Sequence, residues 1–587
     1  MPASTHSAAA RPFSRLIVMV AAVLLVLSGC SSIPTTGPVG TASADSDGNL
    51  VVDSFAVAPP GPSEDGGETP GEILQGFITA GTGAADDYSV AREFLTDSAA
   101  ETWIPTDRVL IYGADPNIVP SPEGDTYSIQ LEVVGSVDNR GIRTDRASGT
   151  TETLTANLEQ VDGQWRISAV PNGIIVSEVS FSLLFLSHNL YFYSSGFDFW
   201  VPDTRWFAQK SGLVANVVKA MLEGPAPYLQ GAVSSAFPAG TALARDAVPV
   251  VSGAATVDLS ADVLQDSSDL NRQQMALQLH QNLVNLNNVN SVNMTVNQRS
   301  VDLGKESSAL VEAVADPEVG GTQIGAYQNE LAYIKDGQPQ PIEGIPSVAE
   351  HAPRDPALSL DLATIAFLNG NRSSLFMTGP NQEVRRVVEG SLLTAPSIDP
   401  GKWTWTASQA GGGATILALP PGGGAEDILS LPVPWLAEVN VSELRISRDG
   451  SRALLVTSHG GSSQVLVAGV VRDAAGVPRT LTTPLELAVT GDPGSGIPET
   501  LPVDRAKWVT EDSIVVVQTS QDDRVTPIIL GLGARPEPLA GLAGITGLSA
   551  GKGGQDIYVQ TPSAMFKRMG NSWYQVSEGL TDPAFPG

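Results

Sequence analysis

The side chains best suited to chemistry in this 587-residue sequence are one cysteine and five histidines. A single thiol cannot form an intramolecular disulfide or a multi-thiolate zinc or iron–sulfur site. No two histidines stand at the i, i+3 or i, i+4 spacing of a helical metal site, their positions being His6, His188, His280, His351 and His459. The stretch His459-Gly460-Gly461-Ser462-Ser463 is not a nucleophile elbow, which needs G-x-S-x-G after a strand, and no Walker A or G-x-G-x-x-G motif opens a helix. The sequence therefore predicts no catalytic residue, no metal site, no cofactor and no enzyme activity.

The cysteine, Cys30, lies three residues after the end of an apolar run of about twelve residues over 16–27. Such a run is too short to cross about 30 Å of hydrocarbon, but it fits the apolar segment of a secretory signal. Leu27-Ser28-Gly29-Cys30 resembles a bacterial lipobox, in which the thiol accepts a diacylglyceryl group and the small neighbours admit the peptidase. We expect residues 1–29 to be removed and Cys30 to carry diacylglyceryl and N-acyl chains. These chains would anchor the protein to the extracytoplasmic face of the cytoplasmic membrane, at about 0.8 kcal/mol per buried CH₂.

The charge balance is strongly acidic, with 33 basic and 63 acidic residues and a net charge of −30. Removing residues 1–29 takes away Arg11 and Arg15 and no acidic residue, which leaves 31 basic against 63 acidic residues and a net charge of −32. This balance argues against a nucleic-acid partner, which would require a basic surface.

Residues 30–69 are rich in Ser, Gly, Pro and acidic residues. A flexible linker of about forty residues reaches roughly 35 Å.

Residues 70–179 predict an α+β domain. Ile73, Leu74 and Phe77 recur at helical spacing, and alternating stretches predict strands over 127–133 and 153–159. Val161-Asp162-Gly163 predicts the turn of a hairpin that continues into Gln164-Trp165-Arg166-Ile167. Helices followed by an antiparallel sheet ending in this motif resemble the NTF2-like fold.

Residues 180–305 predict a second α+β domain with an aromatic-rich hairpin at its start. The order of its elements, with the motifs "LEGP", "FPAGT" and "ATVDLS", resembles the GerMN domain, which implies a non-catalytic interaction or ligand-binding module. Nine aromatic residues fall within about 23 positions of this hairpin. The candidate recognition residues are Tyr191, Tyr193, Phe199 and Trp200. Their rings could stack on sugars or anchor a partner, or they could form a core on one face of the hairpin.

Residues 306–587 predict repeated β units at spacings of roughly 40–60 residues, each with short strands and glycine-rich turns. Such a period is the signature of a propeller blade, and the length fits six or seven blades. The stretch "ISRDGSRALLV" resembles a TolB-type blade, in which Asp-Gly forms the tight turn between adjacent strands.

The combination of lipobox, linker, NTF2-like part, GerMN domain and propeller resembles the LpqB family of actinobacterial lipoproteins over essentially the whole mature chain. This resemblance implies a role outside the membrane as an accessory of the sensor histidine kinase MtrB in the MtrA–MtrB two-component system, in envelope homeostasis and cell division. The alternative from the residues is an envelope protein that binds peptidoglycan or another cell-wall glycan, through the NTF2-like domain or the aromatic hairpin.

Overall fold

The computed structural model describes residues 43–44, 50–51, 59–63, 66–84, 87–122, 125–146, 149–209, 212–265, 267–284, 286, 288–410, 412–487, 502–533 and 536–587. The expected signal segment 1–29 and the expected lipidation site Cys30 lie outside these residues. Among the helices that the structure describes, none combines the length and the apolar character needed to cross a membrane. A short antiparallel pair, β1 (Ser43–Ala44) and β2 (Leu50–Val51), precedes the first domain.

The N-terminal domain contains four helices and a seven-stranded sheet. Its helices are α1 (Pro70–Ala80), α2 (Ser89–Arg92), α3 (Asp97–Thr102) and α4 (Glu178–Leu184). Its strands are β3 (Arg108–Tyr112), β4 (Asn117–Pro120), β5 (Thr126–Asp138), β6 (Arg143–Asp145), β7 (Thr151–Val161), β8 (Gln164–Ala169) and β9 (Ile174–Ser177). The strand order is β8-β7-β5-β3-β9, with β4 and β6 both paired to the long strand β5.

Local sequence explains the ends of these elements. Thr69 and Glu72 form a capping box at the start of α1, which satisfies backbone N–H groups that a helix terminus leaves unpaired. The side chains that this helix buries recur at helical spacing, as the sequence predicts: Ile73, Leu74, Phe77 and Ile78. Asp162 and Gly163 connect β7 to β8 with positive φ angles of 52° and 80°. This is the two-residue hairpin turn expected from the sequence.

The second domain contains two sheets and two helices. Its elements are β10 (Phe185–Ser194), β11 (Trp200–Ala208), α5 (Leu213–Leu222), β12 (Val233–Ser234), β13 (Val250–Val251), β14 (Ala254–Leu259), α6 (Asp269–Leu283), β15 (Ser291–Val296) and β16 (Arg299–Ser300). The sheet orders are β11-β10-β12 and β13-β14-β15-β16. Strands β14 and β15 are parallel, so α6 is the crossover between them. Both helices bury apolar side chains in one core with the two sheets.

The C-terminal domain consists of short antiparallel strands. They are β17 (Gln323–Tyr327), β18 (Glu330–Lys335), β19 (Gln338–Pro341), β20 (Arg354–Leu358), β21 (Ile365–Leu368), β22 (Ser374–Thr378), β23 (Arg385–Glu389), β24 (Ser397–Ile398), β25 (Thr404–Ala410), β26 (Gly413–Leu419), β27 (Leu429–Leu431), β28 (Asn440–Ile446), β29 (Arg452–His459), β30 (Ser462–Arg472), β31 (Pro478–Leu481) and β32 (Leu485–Leu487). The remaining strands are β33 (Arg505–Trp508), β34 (Ser513–Val517), β35 (Arg524–Val525), β36 (Ile528–Gly531), β37 (Glu537–Pro538), β38 (Leu542–Ala543), β39 (Gly547–Ala550), β40 (Ile557–Gln560), β41 (Ala564–Met569), β42 (Ser572–Glu578) and β43 (Leu580–Ala584).

These strands form a propeller of six blades. Blade I is β43-β17-β18-β19, blade II β20 to β23, blade III β24 to β27, blade IV β28 to β31, blade V β33-β34-β36-β37 and blade VI β39 to β42. The inner strands β20, β24, β28, β33, β39 and β43 contact one another in a closed ring. The last strand, β43, pairs with β17 of the first blade and so closes the ring. This closure selects six blades from the six or seven that the sequence allowed.

Candidate interaction site

The aromatic hairpin of β10 and β11 lies in the protein interior. Tyr191, Tyr193 and Trp200 are only 8%, 1% and 5% exposed, and Phe199 is half-buried. Tyr193 stands opposite Trp200 in the hairpin, with ring centroids 4.1 Å apart, and its hydroxyl donates to the carbonyl oxygen of Gln274 on α6 at 3.1 Å. A buried ring has no free face on which a sugar or a partner could stack. The structure therefore favours the core interpretation of this hairpin over a recognition surface.

The hairpin also contacts the propeller. The Tyr191 hydroxyl donates to Oε1 of Glu511 at 2.6 Å, and the Asn189 amide donates to Oδ2 of Asp512 at 2.9 Å. Burial raises the pKa of the Tyr191 hydroxyl, and the Glu511 carboxylate raises it further. Burial also raises the pKa of Glu511. The loop between β33 and β34 thus covers the face of the hairpin on which Asn189 and Tyr191 lie. From the alternation of side chains along a strand alone, this face would be expected to lie in solvent.

A buried ion pair joins the N-terminal and second domains. Asp203 and Arg205, two residues apart on β11, are both fully buried, with Nη2 of Arg205 2.6 Å from Oδ2 of Asp203. Nη1 of Arg205 donates to the carbonyl oxygen of Arg140 in the N-terminal domain at 2.8 Å. The backbone N–H of Ala226 donates to Oδ2 of Asp203 at 2.7 Å. Arg140 itself donates to the carbonyl oxygen of Pro225 at 2.9 Å.

The segment after α5 packs directly on the propeller. Tyr228 and Leu229 are buried in one apolar cluster with strands of blades IV and V. The Thr482 hydroxyl donates to the carbonyl oxygen of Tyr228 at 2.6 Å. A Cβ at Gly469 on β30 would lie 2.6 Å from Cβ of Ala232, so only glycine allows this close approach. The three domains therefore meet at one junction, made by β11, the segment after α5, and blades IV and V.

Arg452 extends the junction into the propeller and comes from the "ISRDGSRALLV" stretch. It is fully buried, donates to Oδ2 of Asp449 at 2.5 Å and to the carbonyl oxygen of Glu511 at 2.6 Å, and lies 5.0 Å from the ring centre of Trp508. Neither Arg452 nor Arg205 was predicted from the sequence as a functional residue. A signal existed for both, because an arginine within an apolar strand needs a buried acceptor nearby.

An exposed apolar ridge remains on the N-terminal domain. Leu183 and Val179 lie one turn apart on α4 and are 71% and 68% exposed, the highest values among large apolar side chains of the described residues. Leu186, on strand β10 directly after this helix, is 41% exposed and lies three residues after Leu183. We call these three residues the apolar ridge. Such a ridge is a candidate contact for another protein.

The part of the chain that the structure describes contains no group of three or more His, Cys, Asp or Glu side chains able to hold a metal ion. His351 stacks on the ring of Phe376 with centroids 4.2 Å apart, and His280 is exposed on α6.

Comparison with known proteins identifies each part of the chain. Residues 329–586 match the model of the lipoprotein LpqB β-propeller domain, residues 62–182 match the lipoprotein LpqB N-terminal domain, and residues 189–302 match a domain described as sporulation and spore germination. A protein named Lipoprotein LpqB from Streptomyces coelicolor is 25% identical over 98% of both chains. The Lipoprotein LpqB of Cutibacterium acnes is 33% identical over 45% of this chain and 43% of that protein.

Solved structures with partial likeness include TolB from Acinetobacter baumannii, which is 14% identical with a TM-score of 0.33 and covers 46% of this chain and 68% of that one. The tandem GerMN domains of GerM from Bacillus subtilis are 14% identical with a TM-score of 0.18, covering 25% of this chain and 58% of that one. The two LpqB domain models together match more than half of the 587 residues, and relatives named Lipoprotein LpqB align along almost the whole chain. This chain therefore belongs to the LpqB family of lipoproteins.

Proposed function

We propose that this lipoprotein is held on the extracytoplasmic face of the cytoplasmic membrane by Cys30 and acts there as a non-catalytic accessory of a sensor histidine kinase. The system is of the MtrA–MtrB type and serves envelope homeostasis and cell division. Membership of the LpqB family supports this role, since that family is associated with such a kinase. The apolar ridge is the structural observation that supports a contact with another protein, because a solvent-exposed apolar stripe is typical of a protein-binding surface.

The domain junction supports an accessory role in a second way. The ion pair of Asp203 and Arg205 and the contacts of Tyr191 and Tyr228 join all three domains through buried groups. A partner bound to the apolar ridge would therefore contact a domain that buried interactions hold to the other two domains.

The kinase contact is tested by co-purification of detergent-solubilised full-length protein with the extracytoplasmic domain of the kinase. We expect the native protein to retain that domain and the variant Leu183→Asp to lose it, because a carboxylate in the contact would have to be desolvated. The matched control is Leu392→Asp, which replaces a propeller leucine that is 66% exposed. Absence of co-purification with the native protein would refute the accessory role, and equal loss in both variants would refute the location on the ridge.

The anchor is tested separately with Cys30→Ser. Without the thiol no diacylglyceryl group can be attached, so we expect an uncleaved precursor or release from the membrane fraction. Metabolic labelling with a tritiated fatty acid should mark the native protein and not the variant. Equal labelling of the two proteins would contradict lipidation at Cys30.

A cavity in the N-terminal domain favours a second candidate, the binding of cell-wall glycan. It has a volume of about 250 Å³ and lies between residues 66–73 and the hairpin residues 163–166. Its wall includes the half-buried ring of Trp165 and the guanidinium of Arg166, which donates to Oε1 of Gln164 at 2.7 Å. An aromatic ring beside polar groups is a suitable surface for a sugar.

The glycan candidate is tested by titration with a soluble GlcNAc–MurNAc disaccharide peptide. We expect binding that is lost in Trp165→Ala and kept in Tyr574→Ala, which removes an aromatic ring from an exposed site on blade VI. Binding that persists in Trp165→Ala would exclude this cavity as the site.

A further inference from the structure

A small cavity in the propeller lies where four inner strands end. It is lined by the ends of β28, β33, β39 and β43, and its volume is about 40 Å³. Three of the lining side chains are cationic, namely Arg445, Arg448 and Lys507. A solvent-accessible volume of this size holds about three waters, or one carboxylate or phosphate group.

The cations at this cavity outnumber their carboxylate partners. Glu443, which is 1% exposed, accepts from Nε of Arg445 at 2.6 Å and from Nζ of Lys507 at 2.8 Å, and Nε of Arg505 lies 3.9 Å from its other oxygen. Two lining cations, Arg445 and Lys507, therefore share one carboxylate, while Arg505 lies farther from it and does not line the cavity. Burial alone would raise the pKa of Glu443, but Arg445, Lys507 and Arg505 together hold it well below its usual value.

Arg448 adds a fourth cation. It is only 8% exposed and donates to backbone carbonyl oxygens alone, those of Val509, Trp508, Ala550 and Gly551, at 2.8–3.4 Å. Among the described residues no carboxylate side chain lies within ion-pair distance of it, and residues 585–587 line the same cavity. Asp316 acts on it only from farther away and forms an ion pair with Lys552 at 3.4 Å.

Burial alone would lower the pKa of Arg505, but Glu443 raises it, and Asp504, Asp355 and Asp582 raise it further. The excess of positive charge is therefore counted only over the lining cations Arg445, Arg448 and Lys507. Asp355 on β20 is paired with Arg372 at 2.8 Å, and Asp582 on β43 is paired with Arg354 at 3.3 Å. Both carboxylates therefore have cations of their own. The surplus of positive charge at the cavity stands out in a protein with a net charge of −30.

Burying cations without matching anions is costly, and a ligand that supplies the missing charge would remove that cost. A cavity with low-dielectric walls also concentrates the positive potential at its opening. We propose that this cavity binds the oxyanion group, carboxylate or phosphate, of a small anionic ligand. Arg448 and Lys507 provide charge-assisted hydrogen bonds to that group, and the rest of the ligand extends toward the opening. The site is independent of the kinase contact and of the glycan cavity.

The test is isothermal titration of the full-length protein in nonionic detergent with sodium phosphate and, separately, with sodium N-acetylglycinate. Each titration is compared with sodium chloride of equal ionic strength. We expect saturable binding of at least one oxyanion, weakened at least about tenfold in Lys507→Gln. Glutamine can still donate to Glu443, so the fold should survive, and a native unfolding temperature checks this. The control is Lys567→Gln, a lysine on β41 paired with Asp556, which should bind like the native protein.

The two probes identify the ligand class. Binding of phosphate alone indicates a phosphate-bearing ligand, binding of N-acetylglycinate alone indicates a carboxylate such as a peptide terminus, and binding of both indicates a general oxyanion site. Absence of saturable binding of either probe below about 10 mM would refute the proposal. Native affinity in a folded Lys507→Gln protein would also refute it.

Discussion

Replacing Asp203 by asparagine should destabilise the domain junction strongly. Asparagine keeps the shape of the side chain and an oxygen for the N–H of Ala226, but it removes the charge that faces Arg205. Both partners are fully buried, so Arg205 would remain as a buried cation that faces only neutral acceptors, namely the new amide oxygen and the carbonyl oxygens of Arg140 and Gly224. Breaking one partner of such a pair costs about 3–5 kcal/mol, which is at least about a hundredfold in the equilibrium between closed and opened junction.

The effect should be local before it is global, because the pair lies between domains. Hydrogen–deuterium exchange should speed up first in residues 138–142, in β11 and in residues 224–229, and urea unfolding should begin at lower concentration. The surface variant Asp556→Asn, which breaks an ion pair on blade VI, should leave these segments unchanged. The double variant Asp203→Asn with Arg205→Met should recover part of the loss, since no unpaired charge remains. Native exchange rates in Asp203→Asn would refute the reasoning.

Three further predictions concern single sites. Burial lowers the pKa of Lys507 from 10.5 to about 7, so between these pH values the folded state binds fewer protons than the unfolded state. The free energy of unfolding should therefore rise with pH across that window. Lys507→Met should lose this rise, measured as the urea midpoint at the two ends of the window, and an unchanged pH dependence in the variant would contradict the assignment. Tyr191→Phe removes the hydrogen bond to Glu511 and should cost roughly 1–2 kcal/mol, seen as faster amide exchange in residues 509–512, whereas unaltered exchange would show that the bond does not hold the junction. Gly173→Ala should lower the free energy of unfolding by about 1–3 kcal/mol, and with it the unfolding temperature, because the φ of Gly173 is +100° and the new Cβ would lie 2.4 Å from a backbone carbonyl oxygen. An unchanged unfolding temperature in a calorimetric scan would disprove this close approach.

The fold was predictable wherever its signal is local. The capping residue Thr69 and the turn of Asp162 and Gly163 act on backbone within a few positions, so their types alone indicate a helix start and a hairpin. In the same way Gly450 takes a positive φ of 73° in the Asp-Gly turn of blade IV. Repetition of such local units indicates a propeller before any contact is known.

The candidate site was less predictable. Alternation along β10 indicates one buried face, and the sequence does not reveal that the propeller covers the other face at Glu511. From the sequence alone, the rings of Tyr191 and Trp200 could therefore belong either to the core or to a recognition surface. Arg205 and Arg452 were missed because their acceptors come from distant segments, such as the carbonyl oxygens of Arg140 and Glu511.

The sequence by itself determined the order and class of the domains and the membership of the LpqB family, and it placed the only thiol, Cys30, in the setting of a lipid anchor. These properties depend on residue types and spacings within short segments. Only the tertiary structure decided the number of blades, the burial of the aromatic hairpin and the concentration of cations around Glu443. Each of these depends on contacts between residues far apart in the chain, such as the pairing of β43 with β17, and no local pattern encodes such contacts.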